Sequence, residues 1–357
     1  MMQFKKTFAA LAALCLLIGL SASAPAGARF AAQDKDKKAK KDKTEKSDKK
    51  EKKEKGKDKD DQSATVSDRE LRNVLWTEPS NIESLDLFYG EGGADSAPDP
   101  QGKFTFEKRV STGTSEKIHV SDDKGRKWTV KFGPESRPET AATRIVWAAG
   151  YHVDQDYFVK RTHIEGRGGF DVWDVRFERR DDYKEVGLWS WEANPFLGTR
   201  ELQGLKVLMA LINNWDLKED NNKIVRANKK SGGDRDAQIY YIADLGGTLG
   251  STGSFFTKLP FFGNAPAGTK GDPDGYAAQA FIEGVRNGQV VFHYKGKYPK
   301  ALEGVTVENA RWMGDLLGRL SDKQLADAFR AGGFTDAEII TYVKAVRGRI
   351  NQLKSLK

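Results

Sequence analysis

Asp216, Lys218 and Asn221 stand at D-x-K-x-x-N spacing within the run LKVLMALINNWDLKEDNN, residues 205–222. A carboxylate, an ammonium and a carboxamide therefore share one short polar loop. In phosphoryl transfer a carboxylate orients or accepts the proton of the attacking hydroxyl, a lysine offsets charge on the moving phosphoryl group, and an asparagine oxygen binds Mg2+. The competing reading is structural: a helix end capped by Asn213 or Asn214 in left-handed conformation and followed by solvated charge. The motif alone does not separate the two. A second carboxylate, in Asp244-Leu245-Gly246, ends a strand-like run and is well placed to hold a metal in a cleft, or simply to terminate the strand in an Asp-x-Gly turn. His119, His152, His163 and His293 show no H-E-x-x-H or other ligand spacing, and no G-x-S-x-G occurs, so a hydrolase is disfavoured.

These residues need elements to carry them. Leu205, Leu208, Met209 and Ile212 recur at i, i+3, i+4, i+7, which predicts a helix with one buried stripe leading into the polar loop. Lys223-Ile224-Val225 and Ile239-Tyr240-Tyr241-Ile242 flank a turn at Gly232-Gly233 and form a strand pair that delivers Asp244. Upstream, Phe104 and Phe106, then Ile118 and Val120, then Trp128, Val130 and Phe132 alternate at period two, with Asp122-Asp123-Lys124-Gly125 as a hairpin turn. They predict a three-stranded antiparallel meander. Its first turn, residues 111–115, includes Gly113 and Thr114, small residues whose backbone N–H groups suit phosphates. Lys131, between Val130 and Phe132, points away from both, either into water or into a cleft. Ser136-Arg137-Pro138-Glu139 reads as a helix start with Ser136 as cap, and the helix runs through Ala141, Ala142, Ile145 and Val146 to Gly150. Glu139 in its first turn also suits the helix dipole, an effect of about 0.3–1 kcal/mol. Gly90 to Gly93 lacks a preceding strand and a following helix, so it is a connector rather than a phosphate loop.

Strand-like pieces follow at 157–159 and 170–177, and the aromatic segment from Leu188 through Trp189 and Trp191 to Phe196 is read as a hinge between two lobes, against core packing of the two tryptophans. Residues 247–278 are rich in Gly, Pro and Phe and predict a long irregular loop. The C-terminus is helical: an amphipathic stretch from Leu302 to Leu320, then capping boxes at Ser321-x-x-Gln324 and Thr335-x-x-Glu338.

Residues 1–28 have the anatomy of a secretory signal: Lys5 and Lys6, an apolar run from Phe8 to Leu20, and Ala26-Gly27-Ala28 at the cleavage position. The run is shorter than the roughly 20 residues of a membrane span, so the mature chain carries no such span here and is expected to be exported, periplasmic or extracellular. The single cysteine, Cys15, leaves with the signal. Disulfides, zinc thiolates and cysteine nucleophiles are thereby excluded. Residues 29–67 form a linker in which 24 of the 28 residues from Asp34 to Asp61 are charged, so it is expected to be disordered. The tract, the signal and Arg29 account for +7 of the formal +8, which leaves the folded part nearly neutral and without a basic stripe for nucleic acid.

The order of features, from meander with Lys131 and helix with Glu139 to Asp216-x-Lys218-x-x-Asn221 and Asp244-Leu245-Gly246, resembles the protein-kinase-like superfamily over residues 68–357. It looks closest to the atypical branch of HipA, the phosphatidylinositol kinases and secreted kinases of the Golgi casein-kinase type. It is also similar to exported bacterial proteins that share the NNWDLK and DLGG strings. The resemblance implies an α+β, two-lobed fold with an antiparallel β-rich N-lobe at 68–190 and a mainly helical C-lobe at 191–357. It implies ATP and Mg2+ as cofactors, with Lys131 gripping nucleotide phosphates beside Gly113 and Thr114, and Glu139 as the ion-pair partner of Lys131. Asp216 would be the catalytic aspartate with Lys218 beside it, and Asn221 and Asp244 the Mg2+ ligands. Departures are the replacement of the usual His-Arg by Asn214-Trp215, a metal motif that reads DLG, no G-x-G-x-x-G loop and no A-P-E ending.

The leading function is therefore transfer of the γ-phosphoryl of ATP to a hydroxyl acceptor, with protein, lipid and sugar acceptors not distinguished. The alternative is a catalytically inactive nucleotide- or ligand-binding module. Against it, Asp216 and Asp244 crowded beside Asn221 are expected to repel each other unless a metal is bound. The sequence leaves oligomeric state open.

Overall fold

The computed structural model describes residues 72–111, 115–180, 182–228, 236–253 and 267–357. The expected signal and linker, and Gly113 and Thr114, lie outside the described residues. Among those described, no helix is long and apolar enough to cross a membrane.

A short strand, β1 (Arg72–Val74), and one helical turn, α1 (Gly93–Ser96), precede the meander β2 (Phe104–Val110), β3 (Lys117–Asp122) and β4 (Lys127–Lys131). Both neighbour pairings in the meander run antiparallel. After α2 (Ser136–Ala148), β5 (Asp156–Glu165) and β6 (Phe170–Arg179) form a long hairpin, and β6 lies beside β4. Two residues of β5 pair parallel with β2, Phe104 with Ile164 and Thr105 with Glu165, which closes the five strands into a barrel. Alternation then sends Val130, Phe177, Val120 and Trp128 inward, where all are fully buried. Phe104 and Trp128 meet Phe177 at ring distances of 4.8 and 6.0 Å. Side chains of this size contribute about 1.5–3 kcal/mol each on burial.

The opposite face of the same strands carries polar groups. Lys131 pairs across the ladder with Arg176, and Thr129 with Glu178, so these four share one outer face. Helix α2 packs against β5 and β6. Ser136 does not cap it. The backbone of Glu135 is already helical, so the helix begins one residue earlier than expected, and the Ser136 hydroxyl donates to the carbonyl of Lys131 at 3.4 Å. Pro138 sits in the first turn, where no N–H partner is needed.

The second half holds β7 (Tyr183–Leu188), α3 (Arg200–Leu211), β8 (Asn222–Ala227), β9 (Ala237–Ile242), α4 (Pro273–Ala278), the hairpin β10 (Ile282–Arg286) and β11 (Gln289–Phe292), and α5 (Val307–Gly318), α6 (Asp322–Ala331) and α7 (Asp336–Lys354). Its sheet is ordered β1-β9-β8-β7, so the strand preceding the barrel adds to this half, parallel to β9. Since β7 pairs with β8, the change from barrel to sheet falls between Arg179 and Tyr183, ahead of the expected hinge at 188–196. The two tryptophans of that segment are core. Their rings meet at 4.9 Å, and their indole N–H groups donate to Tyr241 O and Leu217 O. Both expected capping boxes form, at Ser321 and Thr335. Helix α2 also enters the large core: Ala141, Ala142, Ile145 and Val146 join side chains of α3, α5, α6 and α7. That shared core fixes Glu139 relative to the second half.

Candidate active site between barrel and helices

Helix α3 brings the polar loop to its place. Thr199 caps it, its hydroxyl accepting from Leu202 N at 3.2 Å, and Asn213 ends it with φ 53°, the left-handed turn foreseen by the structural reading. Asn213 is buried, donates to Gly250 O at 2.7 Å and accepts from Arg349 at 2.9 Å. Asn214 Oδ1 accepts from Asp216 N at 3.0 Å. Trp215 fastens the loop to three other segments. Its N–H donates to Gly247 O at 2.9 Å, its indole to Thr269 O at 3.0 Å, and its carbonyl accepts from Lys297 N at 2.8 Å. The capped helix end and the chemical motif are thus one structure, since the cap is what turns Asp216 outward from a buried helix.

Asp216 carries an ammonium on each oxygen, Lys218 Nζ and Lys297 Nζ, both at 3.1 Å. Repulsion between unscreened Asp216 and Asp244, expected from sequence, is therefore absent at Asp216, because Lys297 arrives from a distant segment. Asn221 donates through its side chain to Asp216 O at 3.1 Å, and its own carbonyl accepts from Ala243 N at 2.8 Å. It ties the polar loop after α3 to the end of β9. Asp244 follows with φ 57°, a left-handed conformation that Asp tolerates better than most residues.

The carboxylate of Asp244 gathers with two acids at the start of α2, Glu135 at its entry and Glu139 in its first turn. One oxygen each from Glu135, Glu139 and Asp244 lie within 4.8 Å of one another. Gly246 and Gly247 explain the approach. A Cβ on Gly246 would lie 2.7 Å from Glu135 Cβ and 3.0 Å from Glu139 Oε2, and one on Gly247 would lie 3.3 Å from Asp216 Cβ. The Gly-Gly step thus runs between the α2 acids on one side and Asp216 on the other. Contacts below about 3.0 Å exclude a side chain at Gly246 without displacement.

Lys131 does face this region, but its direct partner is Glu178 Oε2 at 2.6 Å rather than Glu139. Glu139 Oε1 lies 2.5 Å from Arg176 Nη1, which also bonds Asp156, while Arg176 Nη2 reaches Glu178 at 3.3 Å. The cause is geometric: Arg176 stands directly across the ladder from Lys131, and its fork spans α2, β5 and β6 at once. Arg176, Glu139 and Asp156 are all at most 1% exposed. Four acids, Glu139, Asp154, Asp156 and Glu178, surround two cations, Lys131 and Arg176. Burial therefore raises the Glu139 and Asp154 carboxyls well above their ordinary range, and brings Asp156 to about 6, despite the opposing pull of Arg176 and Lys131. For Lys131, burial and Arg176 push downward, but Glu178, Glu139 and Asp154 outweigh them and hold it firmly protonated. Glu178 also lines a cavity of about 170 Å3 with Asp154, Val225 and Tyr241.

Arg176, Asp156 and Glu178 on the strands escaped the sequence reading, and so did three members off the strands, Glu135, Lys270 and Lys297. Lys270 bonds Glu135, and the ammoniums of Lys270 and Lys297 stand 5.4 and 5.5 Å from the ring centre of Trp215. Each of these three lies in a loop or at a helix entry with no local motif to mark it. Gly113 and Thr114, the expected phosphate-covering pair, cannot be placed, being outside the described residues.

No protein-family profile matches the chain, and no curated protein matches it. Among solved structures, a Helicobacter pylori proinflammatory kinase, CtkA, is similar over 70% of this chain and 92% of its own, at 12% identity and a TM-score of 0.39. The Rio2 kinase of Chaetomium thermophilum, solved with ADP, Mg2+ and phosphoaspartate, is similar over 70% of this chain and 72% of its own, at 15% identity and a TM-score of 0.31. The fold class is α+β, with a β-rich first half and a mainly helical second half.

Proposed function

We propose that the chain is a kinase-like phosphotransferase that moves the γ-phosphoryl group of ATP to a hydroxyl acceptor. The observation that carries this reading is the Gly246-Gly247 step, which sets Asp244 against the α2 acids and Asp216 immediately behind it. Two groups with separate tasks then lie within one short run of backbone. In this reading the acceptor oxygen forms a bond to the γ-phosphorus, the bond from that phosphorus to the β-bridging oxygen breaks, and ADP leaves. Asp216 orients the acceptor hydroxyl and takes its proton, and Lys218 offsets charge on the transferred group. Lys131, kept charged by its acidic surroundings, binds nucleotide phosphate after exchanging Glu178 for it. Mg2+, when bound, neutralises β- and γ-phosphate charge; Asp244 and Asn221 are its proposed ligands on the family pattern, and the clustered carboxylates and the unpartnered, fully buried Glu139 Oε2 fit a divalent cation. Signal-like residues 1–28 support work outside the cytoplasm, periplasmic or extracellular.

A second reading, nucleotide binding without turnover, is favoured by one observation: each Asp216 oxygen already lies 3.1 Å from an ammonium, so its charge is matched before any acceptor arrives. One pair of measurements separates the readings. Mg-ATP is titrated calorimetrically into the full chain, and transfer of γ-labelled phosphate to protein, lipid and sugar hydroxyls is followed in parallel. Binding with transfer that Asp216→Asn abolishes supports the first reading. Binding without transfer to any acceptor supports the second, and absence of binding overturns both.

A further inference from the structure

Glu139 is fully buried, and its Oε2 has no hydrogen-bond partner. Leaving such an atom unmatched carries its full desolvation penalty. It points toward the Asp244-Gly246 turn, since a Cβ on Gly246 would stand 3.0 Å from it. Arg176, the neighbour of Glu139 Oε1, is shared with Asp156 and Glu178 and cannot serve the second oxygen as well. Asp244 is exposed, so the open side of the cluster faces water. Glu135 completes the set, and its charge is met by the ammonium of Lys270 and by the Ser115 hydroxyl, which donates at 3.2 Å.

We propose that Glu135, Glu139 and Asp244 form a site for a hard divalent cation, and that the Lys270 ammonium occupies Glu135 until the cation displaces it. All-carboxylate oxygen ligation selects Mg2+, Mn2+ or Ca2+ over softer metals. Metal–oxygen lengths of about 2.0–2.6 Å set adjacent ligand oxygens about 3–3.7 Å apart and opposite ones about 4–5 Å apart. The 4.8 Å limit on the three oxygens fits that range without movement of the backbone. Three carboxylates sharing one space repel, and a cation relieves them. Lys270 meets the need in part, with a single charge on one acid of the three. This site deepens the phosphotransferase reading, because Asp244 belongs to both, but it replaces Asn221 with two α2 acids and loads without nucleotide.

The test is titration of Mn2+ into the full chain without nucleotide, read by the loss of the free-ion electron paramagnetic resonance signal, with Mg2+ and Ca2+ as competitors. Wild type is expected to bind Mn2+. Glu135→Gln and Asp244→Asn should each weaken binding by at least about tenfold, the loss that removing even an outer-shell partner produces. Lys270→Gln should strengthen it several-fold. Glu139→Gln is expected to abolish binding, but it also disturbs Arg176, so the two accessible acids carry the test. No Mn2+ binding by wild type, or wild-type affinity in Glu135→Gln, overturns the site. Weaker or unchanged binding in Lys270→Gln overturns the displacement by the cation. The outcomes also separate from those above. A chain that binds Mn2+ but no ATP keeps the cation site and loses the phosphotransferase, and one that binds Mg-ATP with Glu135→Gln unaffected does the reverse.

Discussion

Arg176 and Asp216 are each ringed by opposite charge, yet Arg176 is 1% exposed while the lysines around Asp216, Lys218 and Lys297, are 40% and 41% exposed. The physics of the two clusters differs accordingly. In the sealed cluster little water can replace a lost partner, so its charges are structural, and burial makes Glu139 and Asp156 give up their protons reluctantly. Around Asp216 water screens each ammonium, and either lysine can leave at small cost. The first cluster holds α2 and the barrel in register. The second is left free to exchange partners, as the proposed role of Asp216 requires.

The sharpest way to break this contrast is to empty the sealed cluster. Arg176→Met should strand Glu139 and Asp156 and cost about 3–5 kcal/mol of stability, as removal of one partner from a buried ion pair does. The urea midpoint reports it, and a loss below about 1 kcal/mol would show that water reaches the cluster. Gly246→Ala comes next. Its Cβ would meet Glu135 Cβ at 2.7 Å, so α2 or the turn must move, at about 1–3 kcal/mol. The same variant should lose cation binding, because the three carboxylates can no longer converge.

A pH series sharpens the comparison. The Asp156 carboxyl titrates at about 6 in the folded chain, raised by burial from its ordinary 3.8. Between roughly pH 4 and 6 the folded state therefore keeps a proton that the unfolded state has released, and stability falls as pH rises through this window. In Asp156→Asn that contribution should vanish, so the difference in urea midpoint between wild type and variant should change across the window, with wild type losing ground as pH rises. A constant difference would place Asp156 in contact with solvent. The smallest stability change belongs to Asp216→Asn, within about 1 kcal/mol, since both partner lysines are well exposed. Turnover should nevertheless fall by orders of magnitude while nucleotide affinity holds. A large drop in melting temperature for Asp216→Asn would mean that this cluster, too, is structural.

Local chemistry in the chain was enough to read the meander, α2, α3 and the two capping boxes, because period-two and period-3.6 burial and reciprocal caps depend on residues a few positions apart. The order of its motifs, through their resemblance to kinase-like proteins, also put forward Asp216, Lys218, Lys131, Glu139 and Asp244 as candidates. What it could not give is who touches whom. Pairing β6 beside β4 put Arg176 opposite Lys131 and diverted Glu139 from its expected partner. Pairing β7 with β8 moved the junction between halves ahead of the two tryptophans, which look like a hinge in sequence and are core in space. Lys297 and Glu135 had no motif to announce them. Their place beside Asp216 and Asp244 follows from long-range backbone bonds and from a Gly-Gly step whose missing side chains let acids from separate elements approach. Residue types fixed which charges were available; only packing decided which of them lost access to water, and so which are held rigid and which remain free to react.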